Sequence, residues 1–248
     1  MPKPSPYSSK IKIFLDGADR SAMVEMAGNP LIQGFTTNPS LVRKAGVKDY
    51  PTFCKEILTQ VRGKPISFEV FADEFNEMKR QALEIASWYP GKKSDSNIYV
   101  KIPVINSKGE SAAPLIRELS QSGVKLNITA LYSVPDVLVV CQALKGGAPS
   151  FASVFAGRIA DTGRDPIPLM EACWEICTST DRNIELLWAS TREAYNIVQA
   201  EMIGCHIITA PLDVIKKVPG FNKKTLEQLT LETVQTFKTD AEAAGFSL

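Results

Sequence analysis

Ile98-Tyr99-Val100-Lys101-Ile102-Pro103 is the segment from which the architecture can be read. Tyr, Val and Ile favour a pleated, half-buried strand. Pro103 has no N–H to give a ladder, so the strand ends about there. The odd residue is Lys101, a charge near the exit of an apolar strand. By itself it has two readings. The ammonium can snorkel from the strand end to water on its aliphatic stem. Alternatively, burial disfavours the charged form, and a neutral amine can attack a carbonyl and form a Schiff base. The rest of the chain decides between them.

On both sides of this strand, strand-like and helix-like segments alternate. Strand candidates run over 11–16, 34–38, 66–70, 98–103, 124–131, 151–158, 184–190 and 205–210. Helical segments run over 21–27, from Pro39 onward, and over 50–61, 74–88, 111–119, 133–144, 165–177, 192–202, 212–217 and 222–244. In the segment 74–88, Met78, Ala82, Ile85 and Ala86 share one face. Pro39 suits the first turn of a helix, and Ser133 suits a cap. Eight strands, each followed by helix, predict a single (β/α)8 TIM barrel domain over residues 1–248. A polar N-terminal extension (1–10) precedes the barrel and a C-terminal helix (222–244) ends it. The alternative is an open doubly wound sheet, for which the chain lacks both GxGxxG and a P-loop signature.

Charge is balanced, with Lys+Arg 28 against Asp+Glu 27. That balance gives no broad basic surface for nucleic acid or an anionic membrane. No apolar run approaches the ~20 residues that span a bilayer. The first ten residues lack the apolar core of a signal peptide, so the expectation is a cytoplasmic protein. Five cysteines, an odd number in a long chain, argue against a disulfide framework. Cys173 and Cys177 are one helical turn apart, but no histidine or CxxC pair accompanies them, so they read as buried thiols. His206 sits between apolar neighbours and reads as a packed or locally hydrogen-bonded residue. Hydrolase (GxSxG) and zinc-protease (HExxH) signatures are absent, and no metal is expected.

Barrel sites lie at the C-terminal ends of the strands. The polar residues there are Asp16, Thr37, Asn38, Glu69, Lys101, Asn127, Thr129, Ser153, Arg158, Ser190 and Arg192. Each has an innocent reading. Asp16 and Ser190 can cap helices, Asn38 can make a turn, Glu69 can neutralise Lys101, and the arginines can be surface residues. Their joint occurrence at one end of one barrel is harder to explain by packing, because a buried polar cluster costs stability unless it is satisfied. As a set they fit a reaction. Lys101 is the nucleophile toward a ketone, Asp16 an acid or base for a hydroxyl, and Glu69 and Thr129 the handlers of water. Asn38, Asn127 and Ser153 suit sugar hydroxyls, and Arg158, Ser190 and Arg192 suit an anion such as phosphate.

These residues also carry a resemblance. Phe14-Leu15-Asp16, Thr36-Thr37-Asn38-Pro39-Ser40, Val100-Lys101-Ile102-Pro103, Asn127-Ile128-Thr129, Val154-Phe155-Ala156-Gly157-Arg158 and Ala189-Ser190-Thr191-Arg192 resemble the transaldolases. They are similar to the small-subunit transaldolase and fructose-6-phosphate aldolase branch. The resemblance implies a (β/α)8 barrel with the Schiff-base lysine at Lys101 and an acid/base at Asp16. It implies Glu69 and Thr129 at the catalytic water, Asn38, Asn127 and Ser153 at a dihydroxyacetone unit, and Arg158, Ser190 and Arg192 at a distal phosphate. No metal or organic cofactor is implied. The implied partners are sugar phosphates and further copies of the chain, in ring-like homo-oligomers that are commonly decamers, with the C-terminal helix at subunit contacts.

Within the family, Glu at position 69 and Phe at position 155 resemble the transaldolases, whereas the fructose-6-phosphate aldolases tend to have Gln and Tyr. Phe155 lacks a hydroxyl to protonate an enamine, so the resemblance implies a transferase of the pentose phosphate type. A lyase using free dihydroxyacetone and a non-catalytic sugar-phosphate-binding barrel are the alternatives. Trp188, Thr191 and an insertion at 91–97 depart from the family pattern.

Overall fold

A computed structural model of the chain describes residues 9–61, 63–89, 91 and 95–245. Its centre is the strand of Lys101, β4 (Ile98–Pro103), which pairs in parallel with β3 (Ile66–Glu69) on one side and β5 (Leu126–Leu131) on the other. With β1 (Lys12–Asp16), β2 (Ile32–Thr36), β6 (Ser150–Val154), β7 (Ile184–Trp188) and β8 (Ile207–Ala210), these strands close into a barrel in sequence order. The helices between them are α1 (Arg20–Ala27), α2 (Pro39–Lys44), α3 (Tyr50–Gln60), α4 (Phe75–Ser87), α5 (Ala113–Gln121) and α6 (Val134–Leu144). They continue as α7 (Ala156–Asp161), α8 (Ile167–Thr180), α9 (Tyr195–Met202) and α10 (Leu212–Ile215). The (β/α)8 barrel read from the alternation is the fold observed.

Local chemistry fixes the strand-to-helix turns. Asp19, Asn38, Asp49 and Ser133 each stand in extended conformation before a helix and accept a hydrogen bond from a backbone N–H of its first turn. Pro39 follows Asn38 as the first residue of α2, where its missing N–H costs nothing. Because Asp19 caps α1, Asp16 is released from that duty.

The barrel interior is packed, not open. Phe14, Tyr99, Phe151, Leu187, Ala189 and Ile207 form one cluster inside it. The Tyr99 and Phe151 rings stack at 3.8 Å, and Phe14 meets Phe151 edge-on at 5.8 Å. Gly34 makes room for this layer, since a Cβ there would stand 2.5 Å from the Phe14 ring. The buried aromatics contribute roughly 1.5–3 kcal/mol each and form a floor beneath the strand ends. Elsewhere in the barrel unit, His206 accepts a hydrogen bond from Leu186 N at 3.0 Å, as a locally bonded histidine. All five cysteines are free and buried, with Cys141 and Cys177 Sγ 3.7 Å apart.

Several boundaries differ from the expectation, and those of strands six and seven bear on the site. Strand six stops at Val154, and Arg158 lies on α7. Ala156 and Ile159, one turn apart, are buried while Arg158 is exposed, which is helical and not strand periodicity. Strand seven stops at Trp188, so Ser190 sits in a loop at a left-handed φ of 65°. The C-terminal helix begins at Leu226, four residues later than expected, because Thr225 caps it in a reciprocal capping box with Gln228.

The chain divides into two compact units, Ser9–Ile215 and a second containing Lys216–Leu248. The first is the barrel. In the second, a one-turn 3-10 helix (Val218–Gly220) precedes α11 (Leu226–Ala244), which ends on Gly245 at φ 66°. Residues 1–8 of the N-terminal extension and 92–94 of the 91–97 insertion lie outside the described residues. Among the described residues, no helix is long and apolar enough to cross a membrane.

Candidate active site

The strand register sets Glu69, Lys101 and Asn127 side by side as Cα partners across β3, β4 and β5. Side chains alternate along a strand, so Thr129 points the same way one layer further out. Lys101 does not snorkel to solvent: it is 6% exposed. Its Nζ lies 3.2 Å from Glu69 Oε2 and donates to Thr37 O at 3.2 Å.

Asp16 enters from β1, held by a hydroxyl relay. Thr36 Oγ1 donates to Asp16 Oδ1 at 2.8 Å, and Thr36 and Thr209 share a hydrogen bond of 2.5 Å between their hydroxyls. Since Thr36 spends its proton on Asp16, Thr209 is the donor of that pair. Protein surrounds Asp16 on nearly all sides and leaves only an edge open. Burial raises its pKa above the ordinary 3.8, against the opposing pull of the Lys101 charge and the Thr36 hydrogen bond.

Asn127 is locked from both ends. Ser153 Oγ donates to its Oδ1 at 2.6 Å, and its Nδ2 donates to Ser67 Oγ at 2.9 Å. Asn38 accepts from Leu41 N with its Oδ1, which leaves the Nδ2 amide as its remaining group. Among the described residues of the site, two buried oxygens have no hydrogen-bond partner in the protein, Glu69 Oε2 and Thr129 Oγ1. Such oxygens call for a water or a substrate hydroxyl.

A cavity of about 520 Å³, a size usual for small-molecule sites, opens over these groups. Asp16, Thr36, Asn38, Glu69, Lys101, Asn127, Thr129, Ser153, Phe155, Arg158, Ser190, Arg192 and Thr209 all stand in its wall. Of the residues given a site role in the sequence, Thr37 alone is outside the wall; its hydroxyl donates to Ser67 O and its carbonyl receives Lys101.

The two arginines mark one side of the cavity. Arg158 lies over the Phe155 ring at 5.1 Å and donates to Tyr132 Oη at 3.1 Å. Arg192 is held by Asp161, with Nε and Nη2 both donating to the carboxylate, and this pairing holds Asp161 below the usual carboxylate range. Gly157 lets α7 approach the loop after β7, because a Cβ there would fall 1.7 Å from Ser190 O. The departures at Trp188 and Thr191 lie outside the cavity wall. Trp188 is fully buried, and the Thr191 hydroxyl donates to Thr209 O at 2.7 Å. Among the described residues, no three His, Cys, Asp or Glu side chains gather to hold a metal ion.

The arrangement is an amine, two carboxylates, fixed amide and hydroxyl groups, and two guanidiniums around one cavity. The family described as Transaldolase/Fructose-6-phosphate aldolase matches residues 13–248. The chain belongs to this family. A "Probable transaldolase" of Thermoanaerobacter sp. (strain X514) is 33% identical over 238 residues, covering 96% of this chain and 100% of that one. Proteins of the same name from Syntrophomonas wolfei and Methanococcus maripaludis are 35% and 34% identical, over 84% and 94% of this chain and 90% and 98% of theirs. A solved structure from Coccidioides immitis, named "putative deoxyribose-phosphate aldolase", superposes with a TM-score of 0.58 at 11% identity, over 86% of this chain and 88% of that one. That likeness is one of fold.

The sequence reading missed Thr36, Thr209, Ser67 and Asp161. Period two would have found Ser67 from Glu69. Thr209 and Asp161 had no comparable signal, since each is defined by a partner on another element.

Proposed function

We propose that the chain is a transaldolase, moving a dihydroxyacetone unit from a ketose phosphate to an aldose phosphate through a Schiff base on Lys101. The observation that carries this reading is Lys101 buried against Glu69 in the floor of the cavity. Glu69 takes a proton from Lys101, the amine so freed adds to the ketone at C2, and a second amine proton passes to the new alkoxide to give the carbinolamine. Glu69, with Thr129 holding the departing oxygen, protonates the carbinolamine hydroxyl, and water leaves to give the iminium. Asp16 takes the proton of the C4 hydroxyl. The C3–C4 bond breaks, its electron pair passes into the iminium to form an enamine, and an aldehyde departs. Asp16 keeps that proton, a task suited to a carboxyl whose burial favours the neutral form. The acceptor aldehyde then receives the enamine carbon and the proton, and water releases the product ketose from Lys101.

Asn38, Asn127 and Ser153 bind the dihydroxyacetone hydroxyls. Arg158, Ser190 and Arg192 bind the distal phosphate, with charge-assisted hydrogen bonds from the two guanidiniums. Phe155 favours transfer over lysis. It stands in the cavity wall without a hydroxyl to protonate the enamine, so the enamine waits for an acceptor. The alternative is a lyase that uses free dihydroxyacetone. Measuring aldehyde release from a ketose phosphate with and without an acceptor separates the two: transfer requires the acceptor, and equally fast release without it assigns the lyase.

A further inference from the structure

In a parallel ladder a residue's N–H and C=O point to the same neighbouring strand, and successive residues alternate sides. On β3, Pro65 O and Ser67 O accept from Phe35 N and Thr37 N of the β2 side, whereas Ile66 N and Val70 N turn to the β4 side. Glu69 therefore aims its peptide groups at β2. But β2 stops at Thr36, and the chain turns through Asn38 into α2. No strand is left there to pair with Glu69.

A phenol fills that place. The Glu69 N–H donates to Tyr50 Oη at 3.0 Å, and Tyr50 Oη donates to Glu69 O at 3.3 Å. Tyr50 is the first residue of α3, which Asp49 caps through both Thr52 N and Thr52 Oγ1. Its ring is wedged among aromatics, 4.5 Å from Phe71, 6.1 Å from Trp88 and 6.4 Å from Phe68. Burial pushes the phenol far above its ordinary range, so it keeps the proton it donates.

We infer that Tyr50 is a positioning residue for Glu69, fixing the strand end from which that carboxylate serves the water steps at Lys101. The inference rests on the reading of Glu69 under the proposed reaction. One hydroxyl replaces the ladder contacts that would otherwise hold this backbone, and the Glu69 side chain hangs directly from it. Its carboxylate has no protein hydrogen bond of its own at Oε2, so its placement depends on the backbone and on the ion pair with Lys101. A small displacement of a catalytic group is costly in rate.

Imine formation and hydrolysis exchange the ketone oxygen with solvent, so the water steps can be read as loss of 18O from a C2-labelled ketose phosphate. Tyr50→Phe keeps the ring and removes the hydroxyl. It is expected to slow exchange and kcat by about tenfold, with KM for the ketose phosphate and the far-ultraviolet circular dichroism unchanged. Phe71→Leu loosens the ring packing but spares the hydroxyl, and is expected to exchange at the wild-type rate. In a Glu69→Gln background, Tyr50→Phe is expected to add nothing further. An undiminished exchange rate in Tyr50→Phe, or the same tenfold loss on top of Glu69→Gln, overturns the inference. Failure of the wild-type enzyme to exchange at all would instead reject the Schiff-base reading, so the two failures are distinguishable.

Discussion

Lys101 Nζ and Glu69 Oε2 lie 3.2 Å apart on neighbouring strands, paired in charge, while that same oxygen accepts no directed hydrogen bond. A purely structural ion pair in a barrel interior is stable only with its remaining polar groups satisfied. This pair instead leaves Glu69 Oε2 and Thr129 Oγ1 with bonding capacity beside a cavity. Such an arrangement fits groups that handle an incoming carbonyl and the water it loses. Glu69→Gln is therefore expected to lower kcat by roughly 10²–10⁴-fold, the range for losing a general acid or base. The check is steady-state transfer kinetics together with a melting curve showing that the fold is kept.

Asp16 predicts a trade between stability and activity. Its pKa is raised by burial above 3.8, so across the window between 3.8 and the raised value the folded chain binds more protons than the unfolded one. Stability falls as pH rises through that window, and above it the chain bears the full cost of a buried carboxylate. Asp16→Asn removes that cost. Its melting temperature should exceed the wild type's at neutral pH, and the difference should shrink as pH falls toward 3.8. Carbon–carbon cleavage should be lost in the same variant. A melting advantage that grows on acidification contradicts the assignment.

Arg192→Ala should act on binding more than on chemistry. A charged hydrogen bond is worth ~1.5–3 kcal/mol, which corresponds to a rise of roughly ten- to a hundredfold in KM for a ketose phosphate. For the unphosphorylated ketose the change should be small. Comparing kcat/KM for the two substrates in both proteins reads this directly.

Gly157→Ala tests the packing that brings α7 to the loop carrying Ser190 and Arg192. The added Cβ would fall 1.7 Å from Ser190 O, a backbone atom that can yield only by moving the loop. Overpacking of this kind costs ~1–3 kcal/mol. The expected outcome is a lower melting temperature, seen by calorimetry, accompanied by weaker binding of the phosphorylated substrate.

Phe155→Tyr introduces a proton donor at the cavity wall without disturbing the packing of the ring on Tyr132 and Arg158. It is expected to raise acceptor-independent aldehyde release and the accumulation of free dihydroxyacetone, measured by a coupled reductase assay.

The fold was legible because a strand, a helix and the turn between them each leave a local trace. The alternation of apolar runs and the cap-and-proline pair Asn38-Pro39 need no tertiary information. Lys101, Glu69 and Asn127 could be grouped because each sits near a strand exit, and the register then placed them in one row. Arg158 was read as part of strand six because the apolar run continues through Val154, Phe155 and Ala156, whereas the helical turn from Ala156 shows only in the close approach of Gly157 to Ser190, on another element. Tyr50 and Thr209 were invisible for a related reason. One replaces a strand that ends early, and the other donates to Thr36 from β8, which only the closure of the barrel brings beside β1. Contacts made by closure carry no signal along the chain.

The central claim is covalent attachment at Lys101. The direct measurement is mass spectrometry of the protein after incubation with a ketose phosphate and borohydride, followed by peptide mapping. The expected result is an adduct of the mass of a reduced dihydroxyacetone imine, confined to the peptide containing Lys101 and absent from Lys101→Met, which should remain folded but inactive. An active wild-type protein that gives no adduct, or one whose adduct maps to another lysine, would contradict it.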